Sequence, residues 1–519
     1  MPKPSGWRTW RRVRQGVQIA FFVLFVYLLF AALQRRVAFP LADLFFRFDP
    51  LSALGAILAS HEWIPRLALS LATVAVTVIV GRAWCGWICP LGTLLEWLSF
   101  PRARRRAGRL SPHWRSVKYL VLFASLAAAV FGSTTLLVLD PLAILTRTMT
   151  AVILPGLNYA ATDVLATFYP VAPLQGVLNG LEHLLRGPVL PVKQPVFSGN
   201  VLIALVFAAI VGLNTLAGRF WCRYLCPLGG LLALLSRISL LRPVTGDACS
   251  RCGRCAIVCR VGAIEAAEDY RIVPAECTVC LDCMAGCPEA TIGFRPALRL
   301  PAASPPTTAG WPAPAESYDP SRRQLLAALA VGTVGVVVMH TGASARRPDP
   351  MLIRPPGVQD EAEFLSRCLR CSQCMKVCPT SGLQPALLEG GLEAVWTPRL
   401  VSRLGYCNYG CNACGQICPS GAIPALDLER KRKTVLGVAV INRNRCLPWA
   451  EGVPCIVCEE MCPVAPKAIW LEEAPVVNAG GEPAVVQRPH MLSDRCIGCG
   501  ICEYQCPLGG DAAIQLYSL

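Results

Sequence analysis

The spacing of the cysteines constrains this chain more than any other feature. Cys249, Cys252, Cys255 and Cys259 are set out as C-x2-C-x2-C-x3-C, and Cys277, Cys280, Cys283 and Cys287 repeat that spacing, closed by Pro288. Thiolates at these intervals hold 4Fe–4S clusters, and in a doubled run the fourth Cys of each run ligates the other cluster. The assignment is therefore Cys249, Cys252, Cys255 and Cys287 to one cluster, and Cys277, Cys280, Cys283 and Cys259 to the second. Zinc is the competing ion, because spaced CxxC pairs also bind it. A three-step run offers one thiolate too many per local turn for such pairs, so the spacing favours iron and sulfide.

Sixteen further cysteines form four more groups. They are Cys368, Cys371, Cys374 and Cys378; Cys407, Cys411, Cys414 and Cys418; Cys446, Cys455, Cys458 and Cys462; and Cys496, Cys499, Cys502 and Cys506. The last Cys of each group precedes a proline (379, 419, 463 and 507). The first and fourth groups keep the plain spacing. The second opens as Cx3C, and the third inserts a loop, Leu447–Pro454, suited to contact with a neighbour. The 24 thiolates predict six 4Fe–4S clusters, and Cys85, Cys89, Cys222 and Cys226 complete the 28 cysteines. A disulfide scaffold is the bland alternative, but 519 residues with apolar spans do not need such staples. No CxxCH occurs, which argues against covalent c-type haem. None of the five histidines (61, 113, 183, 340, 490) lies deep in an apolar run, so a bis-His haem b is not expected either.

Before residue 245 the chain changes character. The whole is 54% hydrophobic and 16% charged with a formal net charge of +16, which points to a membrane protein with basic loops rather than to a nucleic-acid binder. Val17–Leu33 is an unbroken apolar run; Leu67–Val80, Val117–Leu139 and Val201–Ala217 follow it. A cleaved signal peptide would need a small-residue site, whereas Gln34-Arg35-Arg36 closes the first run, so a retained helix is preferred. With the N-terminus inside, segments 3–14, 82–118 and 219–242 hold 17 Lys and Arg, against 7 in segments 35–66 and 147–193. That asymmetry predicts four helices with both ends in the cytoplasm. Residues 141–199 are then a long outer loop whose apolar stretches lie along or dip into the membrane.

An internal repeat organises this half. Gly81-Arg82-Ala83-Trp84-Cys85-Gly86-Trp87-Ile88-Cys89-Pro90-Leu91-Gly92 matches Gly218-Arg219-Phe220-Trp221-Cys222-Arg223-Tyr224-Leu225-Cys226-Pro227-Leu228-Gly229. A weaker repeat sets Asp49-Pro50-Leu51 against Asp140-Pro141-Leu142. Two like helical hairpins should pack about a pseudo-two-fold axis, with room for a quinone between them. Asp49 and Asp140 read as helix caps, since Asp-Pro starts helices well, and also as proton acceptors for a quinol. Cys85, Cys89, Cys222 and Cys226 are candidate ligands of a further metal centre, or else structural thiols or two reversible disulfides.

Four helices, two CxxxCP motifs and a trailing two-cluster ferredoxin resemble the NapH-type (MauN-like) membrane ferredoxins, over residues 10–295. That family accompanies periplasmic nitrate reductases as quinol dehydrogenases. One departure is Arg260, where a proline would follow Cys259; its expected effect is on the local turn. A Pro, Ala, Ser and Thr-rich linker follows over 296–320. Ser321-Arg322-Arg323-Gln324-Leu325-Leu326 and the apolar run after it are similar to a twin-arginine export signal, with Ala343-Ser344-Ala345 as a possible cleavage site and an ordinary fifth helix as the alternative. The part from 355 to the end resembles the NapG/MauM-type four-cluster ferredoxins. That resemblance implies that groups one and four interleave, and likewise two and three.

The expected architecture is an α-helical membrane domain of two repeated hairpins (1–244), a bacterial ferredoxin-like α+β two-cluster domain (245–295), the linker (296–320), a transmembrane or export segment (321–345) and a four-cluster α+β polyferredoxin (346–519). No nucleophile–base set or nucleotide-binding glycine loop is legible. The expected function is a quinol dehydrogenase of the bacterial cytoplasmic membrane, drawing on the quinol pool. Its two-cluster domain would be cytoplasmic and its four-cluster domain periplasmic, delivering electrons to a reductase or multihaem cytochrome. A polyferredoxin that reduces metals during assembly and a redox-sensing regulator are the alternatives, and this step rests on fold-level analogy.

Overall fold

The computed structural model describes residues 4–33, 39–99, 112–186, 190–266, 269–297, 326, 330–335, 349–477 and 483–518. The Arg322-Arg323 pair, His340, Ala343-Ser344-Ala345 and nearly all of the linker lie outside them. The chain packs as two compact units that do not follow sequence order.

The first unit comprises Met1–Leu29, Leu44–Leu145 and Leu202–Val337. Its helices start where the sequence supplies caps. Asp49 Oδ1 accepts the backbone N–H of Leu51 at 2.9 Å and opens the helix Pro50–Ser60. Asp140 Oδ1 accepts those of Leu142 at 2.8 Å and Ala143 at 3.1 Å, before the helix that begins at Pro141. In both, proline occupies the first helical position, where its missing N–H costs nothing. Helices Ser70–Val80, Val117–Val130 and Asn200–Gly212 overlap three of the expected apolar runs and are shorter than those runs. Gly81, at φ 90°, ends the first of these. Ala330–Gly335 is also helical; Gly332 lies so near the Val117–Val130 helix that a Cβ there would sit 2.8 Å from the Cβ of Ala127.

The central ferredoxin module belongs to this unit. Leu241–Thr245 pairs antiparallel with Ile292–Pro296, and Ile264–Glu265 with Arg271–Ile272. The short helices Arg254–Val258 and Asp282–Gly286 pack on these ribbons around Ile264, Ile272, Val279, Leu281, Met284 and Ile292.

The second unit gathers Phe30–Asp43, Thr146–Val201 and Val338–Leu519. Ala32 and Ala42 pack against Val377, Ala413 and Ile417. Arg147 donates to the Arg370 carbonyl at 3.2 Å and lies 4.0 Å over the Trp396 ring. Gln384 accepts from the Ser198 N–H at 2.8 Å and donates to the Val196 carbonyl at 2.8 Å. The expected 141–199 loop is different in kind: Pro141–Phe168 is a continuous 28-residue helix, and Gln175–Leu185 is helical too. A π turn at Met149–Ile153 lies just ahead of Pro155, which is thereby accepted without breaking the helix. Gly6–Leu33 and Pro141–Phe168 are, among the described residues, the two helices long and apolar enough to cross a membrane.

Candidate redox site

The plain cluster-binding runs share one local fold. In the four plain runs the residue before the second Cys and the residue after it are left-handed: Arg251 and Gly253, Val279 and Leu281, Arg370 and Ser372, Gly498 and Gly500. Val279, β-branched at φ 53°, pays a steric penalty there that only a functional demand sustains. This winding turns backbone N–H groups onto sulfur. The Val279 N–H points at Cys277 Sγ (3.4 Å), and the Ala263 N–H at Cys259 Sγ (3.2 Å).

The thiols enclose hollows as the spacing predicts for the central module. One is lined by Cys249, Cys252, Cys255 and Cys287, the other by Cys259, Cys277, Cys280 and Cys283. In the C-terminal half the expected pairing is overturned. Cys378 of the first group shares a hollow with Cys407, Cys411 and Cys414 of the second. Cys418 in return lies within electrostatic reach of Cys368, Cys371 and Cys374. Cys506 of the fourth group joins Cys446, Cys455 and Cys458, and Cys462 approaches Cys499. Consecutive groups therefore interleave, one with two and three with four. The cause is helix packing: Gln373–Lys376 lies against Ala413–Ile417, and Val457–Glu460 against Ile501–Gln505, as the two helices of the central module do. Among the described residues no three His, Cys, Asp or Glu side chains converge tightly enough for a single metal ion. A cubane holds its four thiolates farther apart than one ion does, so the hollows suit 4Fe–4S clusters.

Beside the central module stand the two CxxxCP repeats. A short turn carries Cys85, and Cys89 then caps the helix Pro90–Trp97, its Sγ accepting the Gly92 N–H at 3.4 Å. Cys222 and Cys226 repeat this over Pro227–Ser236, with the Gly229 N–H at 3.2 Å. The arginines cross over. Arg219 of the second repeat donates to the Cys85 carbonyl at 2.5 Å. A Cβ on Gly92 would lie 2.4 Å from Arg219 Nη2, and one on Gly229 3.0 Å from Arg82 Nη2. The Gly-Arg and the Pro-Leu-Gly of the motif thus recur because each repeat's arginine needs the other repeat's glycine.

The first repeat grips the ferredoxin loop. Arg82 donates to the Ala275 carbonyl and Trp87 Nε1 to that of Val279, both at 2.9 Å. Gly86 approaches so closely that a Cβ would come 2.0 Å from the Thr278 oxygen. Lys118 Nζ binds Glu276 at 2.6 Å. Glu96 is a second anchor: Arg14 meets it bidentately at 3.2 and 3.3 Å, Gln18 at 3.2 Å and Arg219 at 3.7 Å. Arg260 binds both Glu96 and Asp282, so this departure from the family pattern does more than shape a turn.

Two features complete the site. Asp49 and Asp140, both buried, lie within electrostatic reach of each other, so the repeat brings its two caps together. A cavity of about 400 Å³ opens between Val17, Phe21 and Leu24, the Leu44–Phe48 turn, Ala72, Thr73 and Val76, and the Ala83–Ile88 turn. Phe48, next to Asp49, stacks on Trp84 at 6.2 Å. The Trp84 indole N–H is buried without a hydrogen-bond partner among the described residues. Neither the Trp84 donor nor the crossed arginines were singled out from the sequence; the recurrence of Gly-Arg and Trp in both motifs was the available signal.

The family described as 4Fe-4S binding domain (Fer4_5) matches residues 63–108 and 200–245, the two CxxxCP repeats. Over 211 residues the chain is 37% identical to the methylamine utilization ferredoxin-type protein MauM of Methylorubrum extorquens, spanning 91% of that protein and 39% of this chain. The chain belongs to the MauM/NapG family of ferredoxin-type proteins. Its MauM/NapG-like region is also 37% identical over 181 residues to the ferredoxin-type protein NapG of Escherichia coli, 75% of that protein and 34% of this chain. YccM of Escherichia coli is 27% identical over 259 residues, 47% of this chain and 60% of its own. No solved structure matches the chain. As a MauM/NapG-type protein carrying iron–sulfur ligand sets, it is an electron-transfer protein.

Proposed function

We propose that the chain is a membrane-integral quinol dehydrogenase, with NapH-like and NapG-like parts fused, that passes electrons through six 4Fe–4S clusters to a periplasmic reductase or multihaem cytochrome. The observation that carries this is the apolar cavity walled by Trp84 and Trp87. Its size and lining suit a quinone head group, and Trp84 offers one unpaired donor to a quinone oxygen. Trp87 links that wall directly to Val279, between Cys277 and Cys280. Quinol oxidation to quinone yields two electrons, which the clusters take singly, and two protons, for which the Asp49–Asp140 pair is the nearby buried acceptor.

Membrane residence is supported by lipid-suited side chains left exposed on the apolar helices, among them Val23, Tyr27, Leu71, Val76, Ile79 and Leu205. The proposed sidedness is supported by the company each ferredoxin keeps. The two-cluster module packs in one unit with the Arg-rich 82–118 and 219–242 segments, and the four-cluster half with 30–43 and 146–201. The twin-arginine-like segment supplies the crossing.

The test is anaerobic reduction by a short-chain quinol, read as bleaching of the cluster absorbance. Wild type should bleach. Ala72→Trp, which fills the cavity, should bleach only with dithionite, and Asp49→Asn or Asp140→Asn, which keep an oxygen for capping, should slow quinol-driven bleaching about 100-fold. Full quinol reactivity in all three variants would remove the cavity and the carboxyl pair from the reaction. Failure of wild type itself, with dithionite still effective, would leave a metal-reducing assembly factor.

A further inference from the structure

The four thiols of the two repeats have no place among the six ligand sets, yet they are as buried as any in the chain: Cys85 at 8% exposure, Cys89 at 6%, Cys222 at 8% and Cys226 at 4%. They are also together. Each thiol of one repeat lies within electrostatic reach of both thiols of the other. No disulfide joins them.

We infer that Cys85, Cys89, Cys222 and Cys226 jointly hold a seventh iron–sulfur centre, shared across the pseudo-two-fold between the repeats. Three independent observations carry this. The first is ligand arithmetic. The segments matching the 4Fe-4S binding family, 63–108 and 200–245, contain two cysteines apiece. A cysteine-ligated cluster takes four, so neither segment can complete a site alone and both together complete one.

The second is charge. Between the repeats and the ferredoxin loop, Arg14, Arg82, Lys118, Arg219 and Arg223 are buried to 2% exposure or less, against three buried carboxylates, Glu96, Glu276 and Asp282. Five cations against three anions leave two positive charges uncompensated in a dry interior, which is strongly unfavourable. Four cysteine thiolates on an oxidised cluster core of charge +2 carry a net charge of −2 and restore neutrality. Arg82 Nε and Arg219 Nε make no hydrogen bond among the described residues, which leaves donors directed by no carbonyl or carboxylate.

The third is the backbone. Cys89 Sγ and Cys226 Sγ each receive an N–H at the start of a helix. Hydrogen bonds to sulfur are what tune a cluster's potential. A mononuclear zinc site fits less well, since no three of these side chains converge on one ion.

The site lies beside the Trp84 and Trp87 wall and beside the Cys277–Cys280 loop, but the inference does not rest on quinol chemistry and its test does not use quinol. The full chain, purified anaerobically in detergent, should carry about 28 iron atoms, against about 24 for six clusters. Cys85→Ser and Cys226→Ser should each remove about four iron atoms and leave the reduced-state EPR signals of the six ferredoxin clusters in place. The double variant, with one substitution in each repeat, should lose no more iron than either single variant, because both ligands serve one centre. Wild-type iron at about 24, stoichiometric zinc in addition to that iron, or a double variant that loses twice as much would each overturn the inference. Should a variant fail to fold, the wild-type iron and zinc content decides alone.

Discussion

At the scale of single residues, Glu96 ties together four separate segments of the first unit through Arg14, Gln18, Arg219 and Arg260. Burial raises the pKa of its carboxyl, but the guanidiniums of Arg219, Arg14 and Arg260 outweigh burial and hold it down at about 2, against an ordinary 4.5. A depressed carboxyl contributes stability that is fully present above its unfolded pKa and is lost as pH falls through the folded one. Glu96→Gln should therefore destabilise the first unit by about 3 kcal/mol at neutral pH, the usual cost of breaking a buried pair. In denaturant titrations of wild type and variant, the gap should shrink as pH drops below 4.5 towards 2. A gap that stays constant with pH would show that Glu96 acts by shape rather than by charge. The caps at Asp49 and Asp140 were legible in the sequence because Asp-Pro carries its own local geometry. Their approach to each other was not, since it depends on how two hairpins pack. Arg260 was visible as an oddity, but its partners, Glu96 and Asp282, lie 164 and 22 residues away.

At the scale of elements, the interleaving of the two central runs was readable from their spacing and that of the four C-terminal groups was not. Spacing specifies a local turn around a cluster; which run donates the fourth thiolate is set by which short helices meet. Here the helix after Ser372 meets the one after Asn412, so neighbouring groups pair. Cys378→Ser should then strike the cluster of Cys407, Cys411 and Cys414. Combined with Cys411→Ser it should cost no more iron than one cluster, whereas combined with Cys499→Ser it should cost two. Equal losses in the reverse sense, with Cys378 and Cys499 behaving as one site, would restore the pairing that the family resemblance implied. The helix over Pro141–Phe168 escaped the sequence reading for a related reason. Arg147 and Pro155 interrupt its apolar run, and a π turn together with the Arg370 carbonyl and the Trp396 ring accommodates them.

At the scale of the whole molecule, the proposed function requires one chain to carry electrons from a quinol in the membrane to an acceptor outside it. The repeats, the cavity and the central ferredoxin belong to one compact unit and the four-cluster half to the other, so the claim is about passage through both. Membrane vesicles of known orientation containing the full chain test it most directly, with a short-chain quinol as donor and membrane-impermeant ferricyanide as acceptor. Right-side-out vesicles should reduce ferricyanide in a quinol-dependent way, inverted vesicles should not, and Cys502→Ser in the four-cluster half should abolish the reaction while quinol still bleaches the Cys277–Cys280–Cys283 cluster. Reduction confined to inverted vesicles, or undiminished in the Cys502→Ser variant, would contradict the account.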